Sequence, residues 1–366
     1  MLRSNFRSLQ QSHNDERGQT IMVAVAFIAI MAGAAAMAID VGSYISHRRS
    51  LQNSVDAIAL AASLNLPASE SAQSAATEWA TKNGVEITSM TVTVTSQNLP
   101  SEPNPKVTIE IEAEHNLTFT RLVGLNTAGI TVTATAIITS PAGGSGVSSL
   151  SATEAALAEA TLGEVVVLKY DANDILQGNT SPIRVDGPGS GNCTSGDNYC
   201  SALAHGSTSA VCAEGADTTY CDGPYLVDTE PGNKIGATKT AIDWRLEHTA
   251  TACSEFEGAN GVFEDDPTTS EQGVYRIKPE CNPFVNSDYE SGRILIIPII
   301  DELCNGSCEV TIVTFALFFL EGYGGAGCTG NDCEIVGRFV KVNQNVGLLA
   351  GTYDAASYNK FVRLVS

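Results

Sequence analysis

The sequence has 366 residues, of which 43% are hydrophobic, and a formal net charge of −21 at pH 7. Residues 1–140 carry 8 basic and 11 acidic side chains, whereas residues 141–366 carry 12 and 30. An acidic surface repels nucleic acid and anionic headgroups, so nucleic acid is not an expected partner and solubility is the simplest role of the charge. The length leaves room for about two domains besides a membrane anchor.

Residues 20–39 form a stretch without a charged side chain, TIMVAVAFIAIMAGAAAMAI. At a rise of about 1.5 Å per residue, a helix of this length crosses the roughly 30 Å hydrocarbon core of a bilayer. Residues then recur at helical spacing as far as Leu64, before Pro67 stops the helix: Tyr44, Arg48, Leu51, Val55, Ile58 and Ala62. We therefore predict a disordered cytoplasmic tail over residues 1–16 and a transmembrane and extended helix over residues 17–66.

A cleaved secretory signal is the alternative interpretation of this stretch. Ala36-Met37-Ala38 fits the small-residue cleavage site of such a signal. The apolar region of a signal is shorter, about 7–15 residues, and here the helical pattern continues beyond the site. The anchored interpretation is therefore favoured.

Small residues stand one turn apart in the span, as Ala29 with Gly33 and Ala32 with Ala36. This spacing lets a second helix approach closely, so the four residues are candidate helix-packing positions. Asp40 follows the span directly and is a fifth candidate. Its carboxylate is expected to reach the membrane interface or to pair with a basic group on a neighbouring subunit.

Three groups of residues resemble a known family: Arg17-Gly18-Gln19 before the span, Ala38-Ile39-Asp40-Val41-Gly42 after it, and RRSLQNSVDAIALAA from Arg48 to Ala62. In this order they resemble the N-terminal module of Tad-like proteins, the TadE/TadG-type components of Flp pilus assembly. The resemblance is close over residues 16–64 and weaker as far as about residue 140. It implies a single-pass bacterial envelope protein, pilin-like in layout, with a cytoplasmic N-terminus. Its implied partners are the lipid bilayer and other pilin-like or Tad assembly subunits.

The sequence departs from this family pattern in two places. Pilin-type processing would cut after Gly18 and uses a Glu five residues into the mature chain, where this sequence has Val23. Processing of the N-terminus therefore stays open. The Asp-x-Ser-x-Ser metal-site motif of some longer relatives is absent from the sequence. Neither a metal nor a cofactor is expected.

After Pro67, SESAQSAATEWATKNG predicts a short amphipathic helix, and three runs of period two predict strands from Met90, Lys106 and Ile130. LTFTRLVGL, between the last two strands, predicts a turn or a short helix. Residues 67–140 thus form a Tad-like α+β module. Its sheet is expected to pack on the outer half of the long helix or on the short helix.

The composition of SPAGGSGVSS, which begins at Ser140, predicts a flexible linker over residues 141–155. Residues 156–366 are predicted to form an acidic, cysteine-rich, mostly β domain. Its clearest part is a three-stranded meander, over residues 293–301, 309–320 and 334–342.

All ten cysteines lie in this domain. An even number in an acidic, Gly-rich half favours disulfides formed outside the cytoplasm over zinc binding, which places this domain outside and the N-terminus inside. Sequence alone does not fix the connectivity. We expect neighbouring cysteines to close their own loops: Cys193–Cys200, Cys212–Cys221, Cys253–Cys281, Cys304–Cys308 and Cys328–Cys333.

Patterns that would indicate catalysis are weak. Gly187–Gly191 follows a possible strand but opens no helix, which favours a turn over a phosphate-binding loop. The five histidines form no His-Glu-x-x-His pair, and the acidic loops at residues 171–174 and 264–266 lack the ligand spacing of a calcium loop. A triad of distant residues would escape this search. The protein is expected to be non-enzymatic.

The predicted fold class is α+β. A single N-terminal transmembrane helix continues into a pilin-like helix with a small antiparallel sheet, followed by a mostly β, disulfide-bonded domain. The resemblance implies a membrane-anchored, extracytoplasmic component of Flp/Tad pilus assembly or of a related bacterial surface structure. The alternative is a membrane-anchored surface binding or adhesin module with no part in pilus assembly.

Overall fold

The computed structural model describes the chain in several ranges: 7–86 (backbone only for 7–19), 89–95, 104–186, 193, 198–216, 221–267, 269, 272–285, 292–344, 346–353, 357 and 359–365. The turn predicted at Gly187–Gly191 lies outside the described residues. The chain divides into two compact units. Unit 1 comprises residues 1–59, 77–93 and 108–134, and unit 2 comprises residues 60–76, 94–107 and 135–366.

Five helices and sixteen strands are described. The helices are α1 (Arg7–Ser63), α2 (Ser69–Lys82), α3 (Glu154–Glu159), α4 (Asn198–His205) and α5 (Ile235–Glu247). The strands are β1 (Met90–Thr95), β2 (Lys106–Asn116), β3 (Thr127–Thr139), β4 (Pro141–Gly144), β5 (Leu150–Thr153), β6 (Val166–Asp171), β7 (Thr180–Pro182), β8 (Val211–Cys212), β9 (Leu226–Asp228), β10 (Phe263–Asp265), β11 (Val274–Ile277), β12 (Ile294–Ile300), β13 (Glu309–Thr329), β14 (Asp332–Val342), β15 (Leu349–Ala350) and β16 (Phe361–Val365).

The strands form three sheets. One has the order β1-β2-β3-β16, and a small one has the order β15-β4-β8. The largest has the order β10-β11-β14-β13-β12-β5-β7, with β6 beside β14 and β9 beside β13. A long apolar helix, a small sheet and a mostly β unit confirm the predicted α+β class.

The long helix predicted from the sequence is α1. Its residues include no proline, and Pro67 stands just beyond its end. The helix ends within one residue of the predicted Leu64, but it begins at Arg7, inside the tail that was predicted to be disordered. The predicted short helix is α2, and the three predicted strands of the Tad-like module are β1, β2 and β3.

In unit 1, the outer half of α1 lies against β2 and β3. Gln52 Nε2, on the helix, donates to the carbonyl oxygen of Thr133 at 3.1 Å. This is the first of the two packing arrangements that the sequence left open. Full burial of a Val or Ile side chain contributes roughly 1.5–3 kcal/mol, and the buried apolar residues of these elements include Val55, Ile58, Ala59, Ile109, Ile111, Ile130 and Val132.

In unit 2, β12 is an interior strand, and its burial explains the continuous apolar run ILIIPII. All seven residues are buried. Alternate side chains enter two cores. The core that includes side chains of α4 and α5 receives Leu295, Ile297 and Ile299. The core on the other face, which includes Phe256 and Phe263, receives Ile294, Ile296 and Ile300. The antiparallel pairing of β12 with β13 and of β13 with β14 confirms the predicted meander.

The prediction of a flexible linker at residues 141–155 is wrong. β4 and β5 are buried throughout, and β5 pairs with β12 and with β7. A Cβ on Gly143, whose φ is 143°, would collide with the carbonyl oxygen of Val211. The small residues of this segment therefore permit close packing, which their composition alone does not distinguish from flexibility.

Five disulfides are formed in unit 2, and their pairing is the predicted one: Cys193–Cys200, Cys212–Cys221, Cys253–Cys281, Cys304–Cys308 and Cys328–Cys333. No cysteine is free. Each bond closes a short segment, the longest sequence separation being 28 residues. The bonds therefore act locally within the unit.

A buried arginine joins the helices of unit 2 to the large sheet. The guanidinium of Arg245, on α5, donates to the carbonyl oxygens of Leu203, Gly292 and Ile294. Burial lowers the pKa of Arg245 to about 10, so the side chain remains charged at neutral pH. Three carbonyl acceptors satisfy this buried charge without a carboxylate.

At Gly337, strand β14 lies unusually close to strand β13. A Cβ there would collide with the ring of Phe318 and with the carbonyl oxygen of Phe319 on β13. Gly337→Ala should lower the free energy of unfolding of unit 2 by about 1–3 kcal/mol, because strand and ring must both shift. Urea titration of the full-length protein, followed by Trp244 fluorescence in a Trp79→Phe background, measures this change.

Gly236→Ala is the matched control for Gly337→Ala. Gly236 lies in the first turn of α5, and a Cβ there would meet no heavy atom within 4 Å. This substitution should raise the free energy of unfolding by roughly 0.5–1 kcal/mol, since alanine favours the helix. Equal effects of the two substitutions would show that the close approach at Gly337 is absent.

The length of the segment that a disulfide closes predicts how much it contributes to the free energy of unfolding. Replacing Cys253 and Cys281 with alanine should cost about 3–4 kcal/mol, whereas replacing Cys304 and Cys308 should cost about 2 kcal/mol. The difference follows from sequence separations of 28 and 4 residues. The same urea titration measures both double variants, and an inverted order would contradict this explanation.

Candidate functional site

An exposed apolar helix is the first feature of the candidate site in unit 1. Along residues 20–39, large apolar side chains are exposed, with fractions of 66% for Ile21, 63% for Phe27 and 69% for Ile30. In the described part of the chain, this is the one helix long and apolar enough to cross a membrane, and its most apolar window is not buried. Such a surface is stable in lipid rather than in water, which indicates a membrane anchor.

The small-residue face of this span is uncovered. Ala29, Ala32 and Gly33 are exposed, and Ala36 is half-buried. A Cβ on Gly33 would meet no heavy atom of the described chain within 4 Å. The four side chains share one side of the helix, because they recur at intervals of three and four residues. Their role as helix-packing positions stays a prediction.

Asp40 lies at the end of the apolar span and is only 3% exposed. Its carboxylate accepts hydrogen bonds from three successive backbone amides in the loop between β2 and β3. Oδ1 accepts from Thr118 at 2.9 Å and from Phe119 at 3.2 Å, and Oδ2 accepts from Phe119 at 3.0 Å and from Thr120 at 2.7 Å. These amides open a one-turn 3-10 helix, Thr120–Val123, and would otherwise lack partners within that turn.

The structure adds a contact that the sequence did not suggest for Asp40, since three N–H donors of its own chain bind both carboxylate oxygens. A place at the membrane interface and a pairing with a basic group on a neighbouring subunit stay predictions. Hydrogen bonds to a charged group contribute roughly 1.5–3 kcal/mol each. A buried charge can therefore stand directly beside the apolar span.

Further along α1, side chains continue the contact with β2 and β3. The hydroxyl of Tyr44 donates to the carbonyl oxygen of Gly129 at 3.2 Å. His47 and His115 place their Nδ1 atoms 3.1 Å apart, so one ring donates and the other accepts. Together with Asp40, these contacts fix one side of the helix against the two strands.

The remaining described histidines belong to an aromatic stack in unit 2. The rings of His205 and His248 lie 4.1 and 4.2 Å from the ring of Trp244, between centroids. The side chain of His13 lies outside the described part of the chain. His248 Nδ1 lies 2.8 Å from the carbonyl oxygen of Trp244.

Tyr323 and Asp243 form the most perturbed titrating pair in unit 2. Burial, and then the hydrogen bond from its hydroxyl to Asp243 at 2.8 Å, raises the pKa of Tyr323. Burial alone would raise the pKa of Asp243, but hydrogen bonds from Lys239 and Tyr323 outweigh it and lower that pKa. This hydrogen bond joins α5 to β13, with Tyr323 protonated beside an ionised carboxylate.

Acidic side chains in the predicted acidic loops bind nearby groups of the same unit. Asp171 Oδ1 accepts from the backbone amide of Asn173 at 2.8 Å, and Glu264 forms an ion pair with Arg276 at 2.6 Å. Among the described residues, no group of three or more His, Cys, Asp or Glu side chains could hold a metal ion. Two open clefts beside residues 213–216 are lined by few charged groups, the carboxylates being Glu214 and Asp222.

The described structure is that of a protein with one apolar, exposed N-terminal helix, a small sheet fixed to that helix, and a disulfide-bonded β unit. Residues 18–76 match the family model described as "Putative Flp pilus-assembly TadE/G-like". The N-terminal module is therefore a Tad-type domain, which confirms the resemblance seen in the sequence. No curated protein matches the chain, and no solved structure matches it.

Sequence reasoning found Asp40 but not its partners. The three amides lie 78 to 80 residues further along the chain, and backbone N–H groups leave no residue-type signal. It also missed Tyr44, His47 and His115 as a contact group. The one available signal was His115 itself, a polar aromatic residue near the end of an alternating strand.

Removal of the Asp40 carboxylate should loosen the loop between β2 and β3. Asp40→Ala removes the charged acceptor of three amides in a part-buried loop, and each such hydrogen bond contributes at most roughly 1.5–3 kcal/mol. Amide exchange of residues 118–120 should therefore become at least roughly tenfold faster. Hydrogen exchange of the detergent-solubilised full-length protein, read by mass spectrometry, measures the change.

Asp56→Asn is the matched control on the same helix. Asp56 accepts from Gln52 within α1, at 2.9 Å, and such a pair four residues apart on one helix contributes only about 0.2–0.5 kcal/mol. Exchange of residues 118–120 should stay at the wild-type rate in this variant. Unchanged exchange in Asp40→Ala would show that the carboxylate does not hold the loop.

Proposed function

We propose that this protein is a membrane-anchored, non-enzymatic component of Flp/Tad pilus assembly or of a related bacterial surface structure. The observation that carries the proposal is the Tad-type match over residues 18–76, which coincides with the exposed apolar helix. The match begins at the start of the apolar span and continues into α2. The family resemblance and the physical anchor thus reside in the same residues.

The proposed orientation places the N-terminus in the cytoplasm and unit 2 outside it. Five disulfides support this side, because such bonds form and persist in oxidising compartments. The net negative charge of residues 141–366 suits a soluble domain displayed in water. α1 continues past the span to Ser63, so part of the same helix leads from the membrane into the folded region.

The proposed partners are other pilin-like or Tad assembly subunits, bound through the membrane helix. The uncovered face at Ala29, Ala32, Gly33 and Ala36 supports this idea, because small side chains let two helix backbones approach. Asp40 fixes the side of the helix that carries the sheet. A partner helix would therefore meet the span at a defined rotation.

The non-enzymatic assignment is supported by what the reactive side chains contact. The described histidines pair with each other or stack on Trp244, and Tyr323 is held protonated by Asp243. Each of these groups has a structural partner. Activity screening of the purified protein against esters and glycosides should give no turnover above the rate of a denatured sample.

A second candidate is a surface binding or adhesin module that uses the same anchor. The family match ends at Ala76, before every cysteine and every described strand, and this observation favours a separate role for the disulfide-bonded region. The two candidates differ in genomic context. An assembly component should be encoded beside a secretion ATPase and membrane platform proteins.

The proposed function is tested by purifying the full-length protein from detergent-solubilised membranes and measuring the intact mass of the same sample. Recovery of pilus platform or pilin subunits with an uncleaved chain would support an anchored assembly component. Cleavage after Gly18 would make it a pilin-like subunit despite Val23. Recovery of the protein alone, without residues up to about Ala38, would overturn the proposal in favour of a released domain.

Gly33→Leu should weaken the recovery of partner subunits several-fold, because an isobutyl group on the small-residue face keeps the helices apart. Ala38→Leu is the control, since Ala38 is also exposed but lies on the opposite side of the helix. Quantitative mass spectrometry of the co-purified subunits measures both variants. Equal recovery from Gly33→Leu and the wild type would exclude this face as the contact.

A further inference from the structure

The loop between β2 and β3, residues 117–126, exposes apolar side chains that its own fold does not cover. Exposed fractions are 38% for Phe119, 84% for Leu122 and 59% for Leu125. The loop has the sequence LTFTRLVGLN and carries one charged side chain, Arg121, which is also exposed. Three large apolar side chains presented together at a loop tip mark a contact surface rather than a solvated turn.

The position of this loop along α1 is fixed by Asp40. Asp40 is the first residue after the apolar span, and its carboxylate binds the amides of Thr118, Phe119 and Thr120 directly. The loop backbone therefore lies beside the residue at which the helix leaves the hydrocarbon. The exposed side chains of the loop lie near the same depth.

The exposed apolar surface of α1 continues through this level. Val41 is 50% exposed and Ile45 is 44% exposed, whereas the next charged residues of the helix are Arg48 and Arg49. Arg48 stands about 12 Å beyond Asp40 along the helix axis. The loop and the adjacent helix thus both expose apolar side chains at the level just outside the span.

We propose that residues 117–126 form a second membrane contact, in which Phe119, Leu122 and Leu125 enter the interfacial region of the bilayer beside α1. The lipid bilayer is the occupant because the hydrogen bonds of Asp40 hold the loop beside the end of the exposed apolar span, and this inference rests on the proposed anchoring of α1. Apolar side chains of interfacial segments bury about 5–10 Å into the boundary between headgroups and acyl chains. Arg121 would reach the phosphate level with its long side chain.

Such a contact would limit the tilt and rotation of α1. A lone helix rotates freely about its axis in lipid, but a loop fixed to one side of it by Asp40 must keep that side at the interface. The small-residue face lies toward the same side, since Gly33 and Ala36 precede Asp40 by seven and four residues. The loop would therefore orient the face proposed for helix packing.

Labelled single cysteines test this proposal in the full-length protein. All native cysteines are in disulfides, so Leu122→Cys introduces a single thiol for an environment-sensitive fluorophore. The labelled protein is reconstituted into vesicles of phosphatidylcholine and phosphatidylglycerol, with and without a mixture of phosphatidylcholines brominated near the headgroup end and near the middle of their chains. Leu125→Cys repeats the measurement at a second loop position.

Two further positions on α1 serve as depth references. Ala32→Cys lies inside the span, about 12 Å before Asp40, and Asn53→Cys lies about 20 Å beyond it. Both side chains are exposed on the helix. We expect the brominated lipid to quench labels at residues 32, 122 and 125 and to leave the label at residue 53 unchanged.

Each other outcome has a distinct meaning. If residue 32 is quenched while residues 122 and 125 behave like residue 53, the loop contact is wrong and the anchor stands. If residue 32 is not quenched, the proposed anchor fails, and the loop contact fails with it. A label at residue 122 that is shielded from water but not quenched would show that a protein surface covers the loop, which also overturns the proposal.

Discussion

The carboxylate of Asp40 and the three amides that bind it set the geometry of unit 1. An ionised group directly beside an apolar span is costly unless hydrogen bonds satisfy it, and here four contacts at 2.7 to 3.2 Å do so. The same bonds satisfy amides that open the 3-10 turn of the loop. One side chain thereby fixes where the sheet meets the helix and on which side.

The remaining contacts of unit 1 follow from that fixed point. Tyr44 and Gln52 bind carbonyl oxygens of β3, and His47 meets His115 of β2. Further from the span, buried apolar side chains of the helix, such as Val55 and Ile58, replace these polar contacts. Before Asp40, the helix exposes an apolar surface that lipid can cover. After Asp40, one side of the helix contacts β2 and β3.

Unit 2 depends on a different principle. Its large sheet is covered on both faces, so the interior strand β12 is apolar at every position and sends alternate side chains into two cores. Short-range disulfides and the buried guanidinium of Arg245 fix the loops and helices around that sheet.

The sequence by itself determined the elements whose signals are local. The long apolar helix follows from twenty consecutive uncharged residues, and the strands of the Tad-like module follow from period-two alternation. The disulfide pairing was expected between neighbouring cysteines, but the structure decided it. Tertiary structure alone decided the partner of Asp40, because backbone amides 78 residues away carry no side-chain signature. It also decided that β4 and β5 are buried strands rather than parts of a linker. Glycine and serine permit close packing as well as flexibility, and only the neighbouring Val211 and β12 show which applies.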